Sequence, residues 1–238
     1  MLIVNMTRNN AMRKIGIVRQ MLLLMAFACM SVFAMDAQEK YQYNEFYFQR
    51  SSLFELLPVD SDDIVFWGNS LTNGCEWHEL FGNPNIKNRG ISSDVIQGLI
   101  DRSEPILKGH PRKVFIMSGT NDVSHNLSAD SIARVMEKLI VKVKTESPGT
   151  KIYLQSLLPV NNDFGRYKAM IGKENVIIET NKKFEALAEK HGIVWIDLYP
   201  RFVGPDGKMK KEYTNDGLHL LGAGYIVWRD AVIDYVND

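Results

Sequence analysis

Short stretches, most of them largely apolar, recur along the chain between glycine and polar residues. The five clearest stretches cover residues 64–67, 86–89, 113–118, 152–156 and 193–197. Stretches of this length and character are typical of strands that a parallel sheet buries on both faces. Segments with a helical pattern separate them. The sequence therefore predicts βαβ units, an α/β fold and a five-stranded parallel sheet.

Apolar residues at spacings of three and four predict the helices between these strands. Ser128 is expected to cap the start of one helix, and Gly192 the end of another. Asp94 is expected to cap a further helix, which Pro105 should break or kink. The predicted helices cover residues 76–81, 95–107, 128–146, 176–191 and 222–236.

An aromatic-rich segment precedes the first predicted strand. Phe46, Arg50, Phe54 and Leu57 recur at helical spacing. We therefore expect a leading helical segment within residues 35–62, with this face packed on the flank of the sheet. An aromatic-lined binding surface is the alternative. Residues 63–238 are long enough to form one domain with a sizeable core.

The first 34 residues have the three-part layout of a secretory signal peptide. A basic region at residues 13–19 precedes an uncharged apolar run, and Ala34 closes a cleavage motif. Met12 is a plausible true start. The apolar run of roughly 15 residues is shorter than the roughly 20 that a spanning helix needs, so no stable membrane span is expected. The protein is thus expected to be exported, with a lipoprotein attached through Cys29 as the alternative.

Charge and cysteine content narrow the possible functions. Basic and acidic residues number 28 each, so the formal net charge is zero and no nucleic-acid partner is expected. Cleavage after Ala34 leaves Cys75 as the single cysteine, and we expect a buried structural thiol without a disulfide. The motifs show no zinc-ligand spacing, so neither a metal nor a cofactor is expected.

Four motifs lie at predicted strand ends or just before the last helix. They are Gly68-Asn69-Ser70-Leu71, Asn88-Arg89-Gly90, Gly119-Thr120-Asn121-Asp122 and Asp216-Gly217-Leu218-His219. Open α/β sheets bind ligands at the carboxyl ends of their strands. Each motif alone has an ordinary explanation, such as a turn or a helix cap. All four in this order indicate a catalytic site.

In these motifs the chain resembles the SGNH/GDSL hydrolase superfamily, from about residue 64 to the C-terminus. The residues of the motifs are most similar to those of the branch that contains platelet-activating-factor acetylhydrolase and bacterial carbohydrate O-acetylesterases. The resemblance implies a flavodoxin-like three-layer sandwich. Asn69 stands where the family usually has Asp. That Asp is not the catalytic acid, so the departure concerns how the loop around Ser70 is held.

The catalytic chemistry can be argued from the residues themselves. A serine hydroxyl needs a base to become a nucleophile, and His219 can serve Ser70 in that role. Asp216, three residues before His219, can orient the imidazole and stabilise its charged form. The resemblance further implies an oxyanion hole made by the N–H groups of Ser70 and Gly90 and by the Asn121 side chain.

Three further residues are candidate substrate contacts. His125 follows the third motif closely, Arg89 adjoins Gly90, and Trp77 could line an acyl or sugar pocket. For each, a structural role is the alternative: a surface histidine, an ion pair and a core tryptophan. Residues 161–172 form a long irregular connection after a strand, which makes them a candidate substrate loop.

The sequence thus predicts a secreted serine esterase that forms an acyl-enzyme on Ser70. The expected substrate is a small ester, with acetyl groups on carbohydrate preferred. Alternatives are a lysophospholipase or thioesterase of the same fold, and a non-catalytic glycan-binding domain. A nucleotide-binding domain would want a second glycine soon after Gly68, but none occurs before Gly74. The oligomeric state is not predicted.

Overall fold

A computed structural model describes residues 41–238. The predicted signal peptide, Met12 and Cys29 lie outside these residues. Residues Tyr43–Asp238 form one compact unit, which includes the leading helix. Across the described residues, we find no helix with both the length and the apolar character needed to cross a bilayer.

The sheet has five parallel strands in the order β2-β1-β3-β4-β5. Their bounds are Ile64–Gly68 (β1), Ile86–Gly90 (β2), Lys113–Met117 (β3), Lys151–Gln155 (β4) and Val194–Ile196 (β5). This order is that of flavodoxin-like folds. The five predicted strands and the parallel sheet are confirmed.

Helices cover both faces of the sheet. Their bounds are Glu45–Leu56 (α1), Ser70–Asn73 (α2), Trp77–Phe81 (α3), Ile96–Asp101 (α4), Glu104–Leu107 (α5), Thr120–Ser124 (α6), Ala129–Glu146 (α7), Glu174–His191 (α8), Tyr199–Phe202 (α9) and Gly222–Asn237 (α10). Short 3₁₀ turns occur at Asn162–Phe164, Lys168–Met170 and Lys211–Tyr213.

Alternate side chains of β1 enter two different cores, one on each face of the sheet. Val65 and Trp67 pack with residues of α4, α7 and α8. Ile64 and Phe66 pack with residues of α3, α9 and α10. Successive side chains of a strand point to opposite faces, so both faces of β1 are covered. The three-layer sandwich is confirmed.

Trp77 is a core residue and not a substrate contact. It is completely buried, its ring stacks on Phe66 at 4.2 Å, and its Nε1–H donates to the Thr72 carbonyl at 2.8 Å. The alternative reading of Trp77 is therefore correct. Cys75 is buried in the same core, and burial raises the pKa of its thiol to about 12, as expected for a structural cysteine.

The buried face of α1 differs from the predicted one. Tyr47 and Phe54 are buried, whereas Phe46 and Leu57 are about two-fifths exposed. The Tyr47 hydroxyl donates to the carbonyl of Gly98 in α4 at 3.1 Å. Helix α1 thus contacts α4 through Tyr47. The prediction used only the helical spacing of residues along α1, and that spacing carries no information about such a contact.

The predicted helix after β2 is divided into α4 and α5, with Pro105 in the first turn of α5 as expected for a break. Asp94 does not cap α4, because Val95 occupies the cap position. Its carboxylate instead pairs with Arg102 at 2.8 Å, and both side chains are buried. The cap prediction is therefore wrong, and the carboxylate serves an ion pair.

Candidate active site

The carboxyl ends of the three strands β2, β1 and β3 lie level with one another. Gly68 pairs in register with Gly90 on one side and with Met117 on the other. Ser70 begins α2 directly after β1, and Asn121 lies in α6 directly after β3. The chain changes direction across the sheet between β1 and β3, which is where flavodoxin-like sheets bind ligands.

A tight turn places Ser70 at the start of α2. Asn69 is buried, and its Oδ1 accepts the N–H of Leu71 at 3.0 Å, so its side chain caps the helix. A Cβ at Gly68 would collide with the Met117 carbonyl and the Thr72 hydroxyl. The turn therefore needs glycine before Asn69. An amide oxygen holds the loop where the family usually has a carboxylate.

Ser70, His219 and Asp216 form a continuous hydrogen-bonded chain. His219 Nε2 lies 2.9 Å from Ser70 Oγ, and its Nδ1 lies 2.8 Å from Asp216 Oδ2. Asp216 Oδ1 accepts the backbone N–H groups of Leu218 and His219 at 2.9 and 2.8 Å. The structure thus brings together the three residues that the sequence predicts as nucleophile, base and orienting acid.

Asp216 is held in its ionised form. Burial disfavours the charge, but hydrogen bonds from the His219 side chain, the Leu218 and His219 N–H groups and Tyr167 outweigh burial. Together they lower the pKa of Asp216 to about 2. An ionised carboxylate can accept a hydrogen bond from Nδ1–H, which leaves Nε2 of the neutral imidazole as the acceptor for the Ser70 hydroxyl.

Tyr167 also contacts this chain, and the sequence analysis did not single it out. Its hydroxyl oxygen lies 3.0 Å from Asp216 Oδ2 and 3.0 Å from His219 Nδ1. Its ring meets the imidazole edge to face, with centroids 5.5 Å apart. Tyr167 belongs to the predicted substrate loop, so the sequence identified the segment but none of its side chains.

Asn121 and Gly90, the two expected oxyanion donors besides Ser70, differ in how their N–H groups are used. Asn121 Nδ2 donates to the Asp94 carbonyl at 2.8 Å, and no second acceptor for it occurs among the described residues. The Gly90 N–H donates to the side-chain oxygen of Asn88 at 2.8 Å. A Cβ at Gly90 would collide with the backbone of Asn73. The oxyanion role predicted for Gly90 is therefore wrong: its lack of a side chain admits α2 rather than a ligand.

The loop that follows Gly90 carries two serines with free backbone N–H groups. The Ser92 hydroxyl donates to Asn73 Oδ1 in α2 at 3.2 Å, which places the loop beside the helix that Ser70 begins. Ser93 has a left-handed backbone with φ of 66° and is exposed. Within the described chain, neither N–H has a hydrogen-bond acceptor. Such a backbone is sparsely populated for serine and is common at functional sites.

A buried guanidinium supports this edge of the sheet from below. Arg102 donates to Asp94 Oδ2 at 2.8 Å, to the Arg89 carbonyl at 2.9 Å and to the Gly68 carbonyl at 3.0 Å. Arg102 therefore links the ends of β1 and β2 to Asp94, whose carbonyl accepts the hydrogen bond from Asn121 Nδ2.

Two carboxyl groups in this region are buried. Burial raises the pKa of Asp94 to about 6, although Arg102 opposes the shift. Burial likewise raises the pKa of Asp122 to about 7, against a hydrogen bond from the Ile96 N–H. Both groups therefore change charge in the folded protein at higher pH than ordinary aspartates.

The remaining substrate-contact predictions have different outcomes. Arg89 is buried, and its guanidinium donates to the carbonyls of Asn88 and Leu57 and lies 4.9 Å from the Phe54 ring centroid. It is thus committed to packing α1, and its predicted role in substrate binding is wrong. His125 is exposed directly after α6, and its role stays a prediction.

Known proteins resemble this chain in both sequence and fold. The profile of the GDSL-like lipase/acylhydrolase family matches residues 66–227. Subunit alpha1 of platelet-activating factor acetylhydrolase IB from Rattus norvegicus is 29% identical over 184 residues, covering 73% of this chain and 76% of the rat protein. Subunit alpha2 from Homo sapiens is 25% identical over 196 residues, covering 79% and 82%.

Two solved structures illustrate the likeness in fold. A GDSL-like lipase from Bacteroides thetaiotaomicron has a TM-score of 0.72 at 25% identity, covering 81% of this chain and 98% of the other. An acetyl xylan esterase has a TM-score of 0.61 at 21% identity, covering 73% and 99%. The family match extends over most of the described residues and includes Ser70 and His219. The chain therefore belongs to the GDSL-like lipase/acylhydrolase family, within the SGNH hydrolase superfamily.

Proposed function

We propose that this acylhydrolase is a serine esterase that removes acetyl groups from O-acetylated carbohydrate through an acyl-enzyme on Ser70. The observation that carries the proposal is the hydrogen-bonded chain from Ser70 Oγ through His219 to Asp216, with links of 2.9 and 2.8 Å. This chain supplies a nucleophile, a base and an orienting carboxylate to one ester carbonyl.

In the proposed reaction Ser70 Oγ attacks the ester carbonyl while His219 Nε2 takes the hydroxyl proton. The tetrahedral intermediate then collapses: the bond to the alcohol breaks, and the proton on Nε2 passes to the leaving oxygen. Water then attacks the acyl-enzyme while His219 Nε2 takes a proton from it. The bond between the acyl carbon and Ser70 Oγ breaks, acetate leaves, and the proton on Nε2 returns to Oγ. Asp216 stays ionised throughout and stabilises the imidazolium.

The developing oxyanion needs N–H donors at the edge of the sheet. Ser70 offers its backbone N–H at the start of α2, and Asn121 offers the side-chain N–H that does not bind Asp94. Because the Gly90 N–H is occupied, we assign the third position to the loop of Ser92 and Ser93. Loss of one such donor typically costs about 10²–10³ in rate.

The preference for acetyl groups on carbohydrate rests on two relatives. One is named as an acetylhydrolase of platelet-activating factor, and another as an acetyl xylan esterase. Both names describe release of an acetyl group, and the second describes a carbohydrate substrate. The acetyl group is thus the part of the proposal that both relatives support.

A covalent probe tests the nucleophile directly. We expect a fluorophosphonate to label the protein, and Ser70→Ala to abolish labelling, because the probe bonds to an activated serine oxygen. Ser124→Ala is a matched control, since Ser124 Oγ donates to a backbone carbonyl in α6. Labelling that persists in Ser70→Ala, or no labelling of the wild type, would contradict the proposal, and the second result would favour a non-catalytic glycan-binding domain.

A series of esters tests the acyl preference. We expect kcat/KM to fall at least about tenfold from p-nitrophenyl acetate to the octanoate. A site that fits an acetyl group does not admit the longer chain, whose methylenes then gain none of the about 0.8 kcal/mol that each buried methylene contributes. Acetylated xylo-oligosaccharide should release acetate. A preference for octanoate, or for a lysophospholipid or thioester over acetylated sugar, would favour the alternative acylhydrolases.

A further inference from the structure

One tyrosine joins the predicted substrate loop to the acid–base pair. The Tyr167 hydroxyl oxygen lies 3.0 Å from both Asp216 Oδ2 and His219 Nδ1, and these two atoms are themselves 2.8 Å apart. The three polar atoms thus form a closed triangle. We propose that Tyr167 is a positioning residue, which holds Asp216 and His219 in the arrangement that keeps a proton on Nδ1. The inference rests on the proposed function of the same site.

The protons in this triangle can be assigned from its chemistry. Burial, followed by the hydrogen bond to Asp216, raises the pKa of Tyr167, so the phenol keeps its proton and donates it to Oδ2. Nε2 must accept from Ser70, so Nδ1 carries the proton of the neutral imidazole. That N–H donates to Oδ2 and has the phenol oxygen as a second acceptor. Both bonds favour the tautomer in which Nε2 is free to act as base.

The two oxygens of Asp216 are held in different ways. Oδ1 is bound by two backbone N–H groups of its own turn and, at 3.4 Å, by the hydroxyl of Thr214 in the same turn. Oδ2 has only side-chain donors in the described chain, namely His219 and Tyr167. Tyr167 is the one described side chain outside residues 214–219 that bonds to Asp216 or to Nδ1. It therefore supplies the external constraint on the pair, as residues behind a catalytic or metal-binding histidine commonly do.

The loop that carries Tyr167 is itself fixed to the segment that carries His219. The Asn161 N–H donates to the Gly217 carbonyl at 2.8 Å, and Asn161 Nδ2 donates to the Met209 carbonyl at 2.8 Å. Met170, at the far side of Tyr167, is buried. Anchors on both sides of Tyr167 keep its hydroxyl within reach of the pair.

Removal of the hydroxyl alone tests the proposal. In Tyr167→Phe the ring and its edge-to-face contact remain. We expect kcat for p-nitrophenyl acetate to fall roughly tenfold with KM unchanged, because a hydrogen bond to a charged group is lost without loss of substrate contact. Tyr235→Phe is the matched control. Tyr235 lies near the end of α10, where its backbone carbonyl accepts a hydrogen bond from Lys113 at the start of β3, whereas the site lies at the other end of that strand. We expect kcat of this variant to stay at the wild-type value.

Nitrogen-15 NMR of the histidine side chains provides a readout that a merely structural role would not change. At a pH where the imidazoles are neutral, we expect the Nδ1–H tautomer of His219 in the wild type and a larger share of the Nε2–H tautomer in Tyr167→Phe. His219→Gln assigns the signal. The proposal is overturned if Tyr167→Phe leaves either kcat or the tautomer populations of His219 at the wild-type level. If the wild type hydrolyses no ester, the proposed function fails, and the tautomer alone decides the role of Tyr167.

Discussion

At the scale of single residues, Asp216 shows how backbone geometry selects a proton position. Its Oδ1 accepts hydrogen bonds from two backbone N–H groups. An NH₂ group in place of this oxygen would face these two donors without a lone pair to accept their hydrogen bonds. Its Oδ2 faces His219 Nδ1 at 2.8 Å. The carboxylate is thus oriented before it meets the imidazole, and the imidazole must supply the proton between them.

Asp216→Asn should therefore force the wrong tautomer. The amide oxygen will stay with the two backbone N–H groups, so the amide NH₂ will face Nδ1 and convert it into an acceptor. Nε2 then carries the proton and cannot take one from Ser70. We expect kcat to fall by about 10³–10⁴, comparable to the loss that the same change causes in a serine protease. Steady-state hydrolysis of p-nitrophenyl acetate measures the loss, and a fall of less than tenfold would contradict this orientation.

At the scale of the elements, the loops after β2 and β3 are supported by buried charge. Arg102 connects the ends of β1 and β2 to Asp94, and the Asp94 carbonyl holds Asn121. Asp122, the neighbour of Asn121, accepts the first N–H of α4 at 3.3 Å. The geometry of the proposed oxyanion donors therefore depends on buried charged side chains that come from separate parts of the sequence.

The buried carboxyl of Asp122 predicts an unusual dependence of stability on pH. Its folded-state pKa of about 7 exceeds the ordinary value, so the folded protein binds its proton more tightly than the unfolded chain does. This contribution is present at low pH and is lost as pH rises through about 7. Between pH 5 and 8 the loss amounts to roughly 2.5 kcal/mol of unfolding free energy.

Asp122→Asn removes this titration while keeping an oxygen acceptor for the Ile96 N–H. We expect the melting temperature of the variant, relative to wild type, to be higher at pH 8 than at pH 5 by roughly 5 °C. Calorimetry at both values measures the difference. The exposed Asp62→Asn serves as control and should show no such change. An equal offset at both values would show that Asp122 does not titrate in this range.

At the scale of the whole molecule, the sheet and the hydrogen-bonded chain of Ser70, His219 and Asp216 were predictable because their signals are local. A buried strand is visible in a few consecutive residues, and the motifs of Ser70, Asn121 and Asp216-x-x-His219 each occupy a short segment. Helical crossovers then bring the strand ends together at one edge. Neighbouring residues thus carry enough information for the architecture and for the three central residues.

Features that depend on individual side-chain contacts were not predictable in this way. Trp77 and Arg89 adjoin the motifs in sequence, but packing against Phe66 and Phe54 removes both from the site. The Gly90 N–H is taken by a side chain two residues away in the same strand. Tyr167 reaches Asp216 across 49 residues of chain. In each case a contact that no periodicity encodes decided the role of the residue.

Gly217 limits how this enzyme could be re-engineered. It has a φ of 89°, and a Cβ there would collide with the Asn161 carbonyl and approach the Phe164 ring. Exposed positions of the adjoining loop, such as Arg166 and Lys168, are open to variation in a library that seeks new substrates. Any variant with a side chain at position 217 would displace that loop from His219, so a library should leave this glycine unchanged.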